Sequence, residues 1–212
     1  ACGQELLGSS LYEYWDKHRT QQVAARGRGP CYVVRSRRRM PGVASALRWL
    51  AHHQDEDGRW DADGFTKHDW GVRKNAKAGF GNPTHDVGVT ALAVLAFIAT
   101  GNTMRRGRHK DAVKRGVNWL RKQQMPNGRF GVGASQSAMY GHVLATYAVC
   151  EASGMSRSRL ARRRAQRGLD YLETHRLADG GWGYTPHEDA SNASLTGWCV
   201  LTMRSVLTFG FR

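Results

Sequence analysis

One spacing of residue types constrains this chain more than any other feature. Within LRWLAHHQDEDGRWD, residues 47–61, Trp49 is followed by Gln54, Gly58 and Trp60. Two later stretches repeat these offsets with the same or related residue types, and their members are Trp119, Gln124, Gly128 and Phe130, then Tyr171, Arg176, Gly180 and Trp182. Three copies with one internal spacing predict a repeat protein, in which similar units stack and bury their faces against one another.

Each copy lies between two segments with helical patterns. Before the second copy, Val113, Val117 and Leu120 share one face of an otherwise polar helix. After the three copies come segments 85–101, 138–154 and 192–210, which are apolar almost all round. The glycine of each copy is suited to the turn between the two helices. The sequence therefore predicts an all-α fold of three outer helix, glycine turn and inner helix units.

The repeated side chains themselves have a predicted structural role. We expect the two aromatic residues of each copy to flank the turn and pack between neighbouring helices. The glutamine, or Arg176 in the third copy, is expected to satisfy carbonyl groups left unpaired at the end of its own outer helix.

The remaining sequence divides the chain unevenly. Residues 1–40 do not fit the unit and are predicted to be an N-terminal extension, with the repeat domain over residues 41–212. Residues 62–84 form a long insertion after the first turn, and loops of that length are often functional. No apolar run is long enough to span a membrane, and the first residues do not have the pattern of a signal peptide. We therefore expect a soluble chain, and the sequence does not assign its cellular compartment.

The chain is strongly basic, with a formal net charge of +15, and much of the charge lies in arginine runs. Such a field attracts nucleic acid, anionic lipid or acidic proteins. No nucleic-acid fold motif accompanies it, so solvated helix faces and linkers are the favoured interpretation and nucleic-acid binding is a lesser alternative.

The aromatic, glutamine, glycine, aromatic pattern resembles the QW motif of the prenyltransferase and squalene-cyclase repeat. The resemblance covers about residues 42–210, and DVGVTALAVLAF, GGWGYTP and SLTGWCVLTMRS are similar to bacterial repeat proteins of planctomycete type. It implies an α/α toroid, in which a ring of inner helices lies within a ring of outer ones. A full toroid needs about six helix pairs, so three pairs imply a partial ring that further residues, a protein partner or self-association would complete.

The chemical motifs of this family are absent from the sequence. The resemblance implies an Asp-x-Asp-Asp acid for cyclases and an Asp-x-Cys zinc pair for prenyltransferases. The sequence has DEDG at 55–58 and DADG at 61–64 but no Asp-x-Cys. Enzymatic activity is therefore left open.

Polar residues near the starts of the inner helices are the candidate catalytic or metal-binding groups. In a toroid these starts lie on one rim, where His85, Asp86, His142 and Asp189 would converge as metal ligands or as an acid–base pair. Helix capping and ordinary surface hydrogen bonding are the alternative explanation. A divalent metal is therefore a possible cofactor, although no ligand motif supports it. His68, Asp69 and Trp70 of the insertion are candidates for a lid over the same rim.

Aromatic residues on the inner helices are the candidate ligand-binding groups. Phe97, Tyr147 and Trp198 would line a cavity for an apolar, isoprenoid-like molecule, although core packing explains them equally well. The sequence therefore predicts an isoprenoid-like ligand, with a non-catalytic protein-interaction scaffold as the alternative.

Overall fold

The computed structural model describes residues 41–69, 81–133 and 135–211. Its helices are α1 (Pro41–His52), α2 (Asp86–Ala99), α3 (Lys110–Lys122), α4 (Gln136–Ser156), α5 (Arg159–Glu173) and α6 (Ala193–Phe209), with two short 3₁₀ helices at Phe65–His68 and Pro83–His85. These ranges contain no strand, which confirms the all-α prediction. The predicted N-terminal extension and Trp70 lie outside the described residues.

The helices form two layers that follow the predicted inner and outer assignment. The inner helix α4 packs against α2, against α6 and against the outer helix α5. Near the start of α4, Tyr140 donates a hydrogen bond to Asn192, and towards its end Glu151 accepts one from Ser205 of α6. The inner helices α4 and α6 therefore run side by side in the same direction, as stacked repeats require.

Burial follows the hydrophobic pattern of the sequence. Val113, Val117 and Leu120 of the outer helix α3 are fully buried, whereas the lysines and arginines of that helix face solvent or lie half-buried. The inner helix α4 is buried on most sides, because it is enclosed by neighbours in both layers. No helix in the described ranges is both long enough and apolar enough to cross a membrane.

Two cysteines lie inside the inner layer. Cys150 of α4 and Cys199 of α6 are free thiols with no exposed surface. Burial raises the pKa of both thiols, to about 12 at Cys199, so they are neutral core groups at physiological pH.

Candidate functional site

The repeated glutamine joins one unit to the next. The side-chain amide of Gln54 donates to the carbonyl of Gly58 in its own turn and to that of Ala112 in α3, at 2.9 and 3.0 Å. Gln124 makes the same two bonds, to Gly128 and to Arg164 of α5. The expectation that this side chain satisfies its own outer helix is therefore wrong, because its second acceptor belongs to the outer helix of the following unit.

The repeated glycine allows the backbones of two units to touch. We call residues 53–61, 123–131 and 175–183 turns 1, 2 and 3. Gly58 of turn 1 has φ 103°, and a Cβ atom there would lie 2.6 Å from the carbonyl oxygen of Arg115. Gly128 of turn 2 has φ 97° and would clash in the same way with the carbonyl of Arg167. The positive φ and the missing side chain are thus both required.

The last aromatic residue of each copy fixes the turn to its inner helix. The backbone N–H of Trp60 donates to the hydroxyl of Thr90 at 2.9 Å, and that of Trp182 donates to Thr196 at 3.0 Å. In turn 2 the N–H of Phe130 donates instead to Nδ1 of His142, at 3.0 Å. All three aromatic rings are buried, as predicted.

His142 occupies the position that Thr90 and Thr196 fill in the other units. It is fully buried, and its Nε2 lies 3.1 Å from the carbonyl of Gly168, so both ring nitrogens are engaged. Burial, together with the field of His175, lowers the pKa of His142 to about 3. The structure therefore places His142 in the core as a neutral structural residue, which corrects its expected place on a rim.

Asp86 at the start of α2 belongs to an ionic network around turn 1. Its Oδ1 accepts the backbone N–H of Ala62 at 2.9 Å, and Arg59 approaches its Oδ2 at 3.5 Å. Burial raises the pKa of Asp86, and nearby Asp61 and Asp63 raise it further. A carboxyl group at an inner-helix start is thereby biased towards its protonated form.

Lys67 of the insertion lies at the centre of the same network. Its Nζ donates to Asp55 at 2.7 Å and to Asp61 at 2.8 Å, and His68 contacts Asp55 at 2.7 Å. Burial opposes ionisation of Asp55 and Asp61, but these hydrogen bonds outweigh it and lower the pKa of both carboxyls. The insertion is therefore attached to turn 1 through charged side chains.

Three carboxylates of this network have the spacing of a cation site. Asp61, Asp63 and Asp86 each place one oxygen within 4.8 Å of the others. Lys67 and Arg59 already supply positive charge to two of these groups. The network can therefore hold a cation only in competition with its own basic side chains.

The predicted rim residues are not brought together as a set. Among the described residues, Asp86 contacts the turn 1 network and His142 contacts Phe130 and Gly168. His85 and Asp189 are exposed at the starts of their own segments. Asp69 of the predicted lid does reach the inside, since it lies 2.8 Å from Nε2 of His53.

The three candidate ligand-binding aromatics have different surroundings. Phe97 is fully buried between Trp60 and His109, with ring centres 5.9 and 5.1 Å away. It is a core residue between layers, which corrects its expected place on a cavity wall. Tyr147 of α4 and Trp198 of α6 are half-buried and retain exposed surface on the inner layer.

A cavity of about 320 Å³ is not lined by any of the predicted rim residues. It is between α1 and the loop after α2, and Arg48, Asn102, Arg108 and His109 are among its lining residues. Burial and the two arginines lower the pKa of His109.

Comparison with known proteins agrees with the repeat and its helical layers. The family model described as squalene-hopene cyclase C-terminal domain matches residues 31–144. A squalene–hopene cyclase of Bradyrhizobium diazoefficiens is 28% identical over 169 residues, which cover 73% of this chain and 24% of that protein. The chain belongs to the squalene-hopene cyclase C-terminal domain family, and it spans about a quarter of the length of this relative.

Proposed function

We propose that this chain binds an apolar, isoprenoid-like molecule against its inner helices and lacks the cyclisation acid of its family. The observation that carries the proposal is the exposure of large aliphatic side chains on the inner layer. Val89 and Leu92 of α2 are 37% and 45% exposed, and Val200, Leu201 and Leu207 of α6 are 55%, 44% and 84% exposed. Large apolar side chains exposed on one layer favour an interaction site on that layer.

The aromatic residues of α4 extend the same apolar surface. Because α2, α6 and α5 cover the other sides of α4, the half-buried Tyr140 and Tyr147 mark its remaining side. The ring of Tyr140 lies 5.9 Å from that of Tyr184. Aromatic faces contribute large contact area and attract cationic or π-rich groups, which suits a polyene ligand.

The absence of the Asp-x-Asp-Asp motif from this sequence separates the proposal from cyclase activity. Asp86 has a raised pKa, as an acid catalyst would. Protonation of an alkene needs a strong acid, whereas the backbone N–H of Ala62 and the side chain of Arg59 both stabilise the carboxylate form of Asp86. We therefore assign binding rather than cyclisation to this chain.

Binding is tested with farnesol as the probe. Titration is followed by quenching of tryptophan fluorescence and by the mass of the complex in native mass spectrometry. Tyr147→Ser should raise the Kd roughly tenfold, because about 1.5 kcal/mol of apolar contact is lost. Leu160→Ser, which removes an exposed apolar side chain from the outer helix α5, is the matched control and should leave the Kd unchanged.

Two results would contradict the proposal. If farnesol changes neither the fluorescence nor the mass, the chain does not bind this class of ligand. If both serine variants weaken farnesol binding equally, the binding is non-specific adsorption. Circular dichroism of each variant verifies that the helices are intact. Steeply salt-dependent binding of DNA, with no binding of farnesol, would favour the alternative in which the arginine runs recognise an anionic polymer.

The alternative of a protein-interaction scaffold is favoured by one separate observation. Gly180 of turn 3 has open space where Gly58 and Gly128 contact a following outer helix. A protein surface could therefore take the place of a following outer helix at this edge.

A further inference from the structure

The cavity between α1 and the loop after α2 is lined by basic side chains. Its volume of about 320 Å³ lies within the range of sites that hold small molecules. Arg48 of α1 lines it on one side, and Arg108 and His109 line it on the other. No acidic residue is among its lining residues in the described parts of the chain. A recess lined by charge of one sign concentrates a positive potential and attracts anions.

The two arginines of the cavity lack a carboxylate partner. Within residues 41–69, 81–133 and 135–211, neither Arg48 nor Arg108 forms an ion pair. Arg48 donates a hydrogen bond to the hydroxyl of Ser45 at 2.8 Å, which occupies only part of its guanidinium group. Arg59 of turn 1, by contrast, has carboxylates around it. The positive charge at the cavity is therefore left for an external anion to balance.

The basic groups act on one another across the cavity. Burial lowers the pKa of His109, and the charges of Arg108 and Arg48 lower it further. The ring of His109 also packs 5.1 Å from that of Phe97, which fixes its place beside the cavity. The charges of the two arginines therefore reach the same ring, and an anion bound between them would relieve this repulsion.

The loop that forms one wall of the cavity is held in a single conformation. The buried side chain of Asn102 donates to the carbonyl of Phe97 at 3.3 Å and accepts the backbone N–H of His109 at 3.0 Å. Gly107 has φ 96°, and a Cβ atom there would lie 2.5 Å from Oδ1 of Asn102. Because the backbone beside Arg108 is already in place, a ligand need not order this loop when it binds.

The lining residues favour a phosphate group over other anions. The planar guanidinium of arginine matches two phosphate oxygens at once, so two arginines can hold one tetrahedral dianion. The helix α3 begins directly after His109, whose side chain does not cap it, and this end of the helix adds partial positive charge. Ala44 and Leu47 of α1 supply an apolar part of the wall.

We propose that this cavity binds a phosphate group, with Arg48 and Arg108 as its ligands and His109 beside them. The phosphate can be free or can belong to the monoester of a small molecule, whose organic part would then contact Ala44 and Leu47. The inner-layer aromatics do not line this cavity, so the proposal is independent of the apolar ligand proposed above.

Isothermal titration calorimetry of the full chain with inorganic phosphate tests the site, at an ionic strength held constant with sodium chloride. Arg48→Gln and Arg108→Gln should each raise the Kd roughly tenfold, because a charge-assisted hydrogen bond is lost. Arg106→Gln is the matched control, since it removes the same charge from an exposed residue of the same loop that does not line the cavity. It should change the Kd by less than about twofold, because salt screens its charge.

Phenyl phosphate distinguishes the two sources of the phosphate group. Tighter binding than that of inorganic phosphate, with the same dependence on Arg108, would support a monoester whose organic part uses the apolar wall. Equal or weaker binding, again dependent on Arg108, would support free phosphate.

His109 provides a second measurement that non-specific binding would not move. Phosphate should raise the pKa of His109, because a dianion in the cavity offsets the arginine charges that lower it. The NMR shifts of its ring protons, followed against pH with and without phosphate, measure this change.

Four results would each overturn the proposal. They are no binding of phosphate, including the case in which residues 1–40 cover the cavity, equal weakening by Arg106→Gln and Arg108→Gln, and a pKa of His109 that phosphate does not change. The fourth is binding of a DNA oligonucleotide without binding of phosphate, which would show that the basic groups recognise a polymer.

Discussion

Turn 1 and turn 3 contain the same glycine in the same backbone conformation, but only turn 1 has a neighbour. Gly58 has φ 103° and lies against Arg115, whereas Gly180 has φ 86° and a Cβ built there would meet no atom of the described residues within 4 Å. The positive φ is therefore required by the turn itself. The absence of a side chain is required only where another unit packs against the turn. Substitutions can separate these two requirements.

The largest expected effect separates strain from collision. Gly58→Ala should lower the free energy of unfolding by about 4 kcal/mol, because it combines a left-handed conformation with a backbone clash. Gly180→Ala should cost only about 1 kcal/mol, since strain is its sole penalty. Urea unfolding measures both, and equal losses would show that the contact with Arg115 carries no free energy.

The repeated glutamine should show a smaller difference of the same kind. Gln54→Ala removes donors from two buried carbonyls and the acceptor of Arg115, and we expect a loss of about 2 to 3 kcal/mol. Arg176→Ala removes a half-exposed ion pair with Glu173 and a stacking contact with Trp182, for less than about 1 kcal/mol. A thermal denaturation series would contradict this account if the arginine variant were the less stable one.

Mild acid should destabilise the protein through the buried histidine of turn 2. His142 has a pKa of about 3 in the folded chain and an ordinary value near 6.5 when unfolded, so between these values only the unfolded chain binds the proton. Stability is fully present above pH 6.5 and falls as the pH is lowered, by about 2 kcal/mol at pH 5. His142→Thr, with the residue type of turns 1 and 3, should remove this part of the pH dependence. The measurement is the difference between the two unfolding profiles, and parallel profiles would contradict the assignment.

The smallest effect concerns the ion pairs that join the insertion to turn 1. Lys67→Met removes two ion pairs from a half-exposed lysine, and we expect a loss of less than about 1 kcal/mol in unfolding free energy. The loss should shrink in high salt. A loss of several kcal/mol would show that the insertion is part of the core of the first unit.

Much of the fold could be predicted from the sequence, because one repeated pattern indicates the turns, the helices and the order of the layers. The spacing from Trp49 to Trp60 predicts the turns. The apolar periodicity distinguishes outer helices such as α3 from inner helices such as α4. The second hydrogen-bond acceptor of Gln54 could not be predicted, because it lies 58 residues away in α3 and is brought near only by the stacking of the units.

The candidate site was less predictable, for a similar reason. Lys67, Asp61 and Asp86 meet because a turn, an insertion and an inner helix converge, and no single stretch of sequence shows this. A usable signal did exist for His142. Aligning the inner segments on Asp86, Ala138 and Asn192 places Thr90, His142 and Thr196 at one position, where a structural hydrogen bond is a simpler explanation than catalysis.

The two buried thiols can be used to measure how often the inner helices open locally. Cys150 lies in the helix with neighbours on both sides, and Cys199 in the helix at the open end. A thiol reagent can modify either one only after local opening, so the two alkylation rates measure how far fraying spreads inward from the edge. Peptide mapping separates them from Cys2 and Cys31. Cys199 should react first in the isolated chain, and any partner that covers that edge should slow it towards the rate of Cys150.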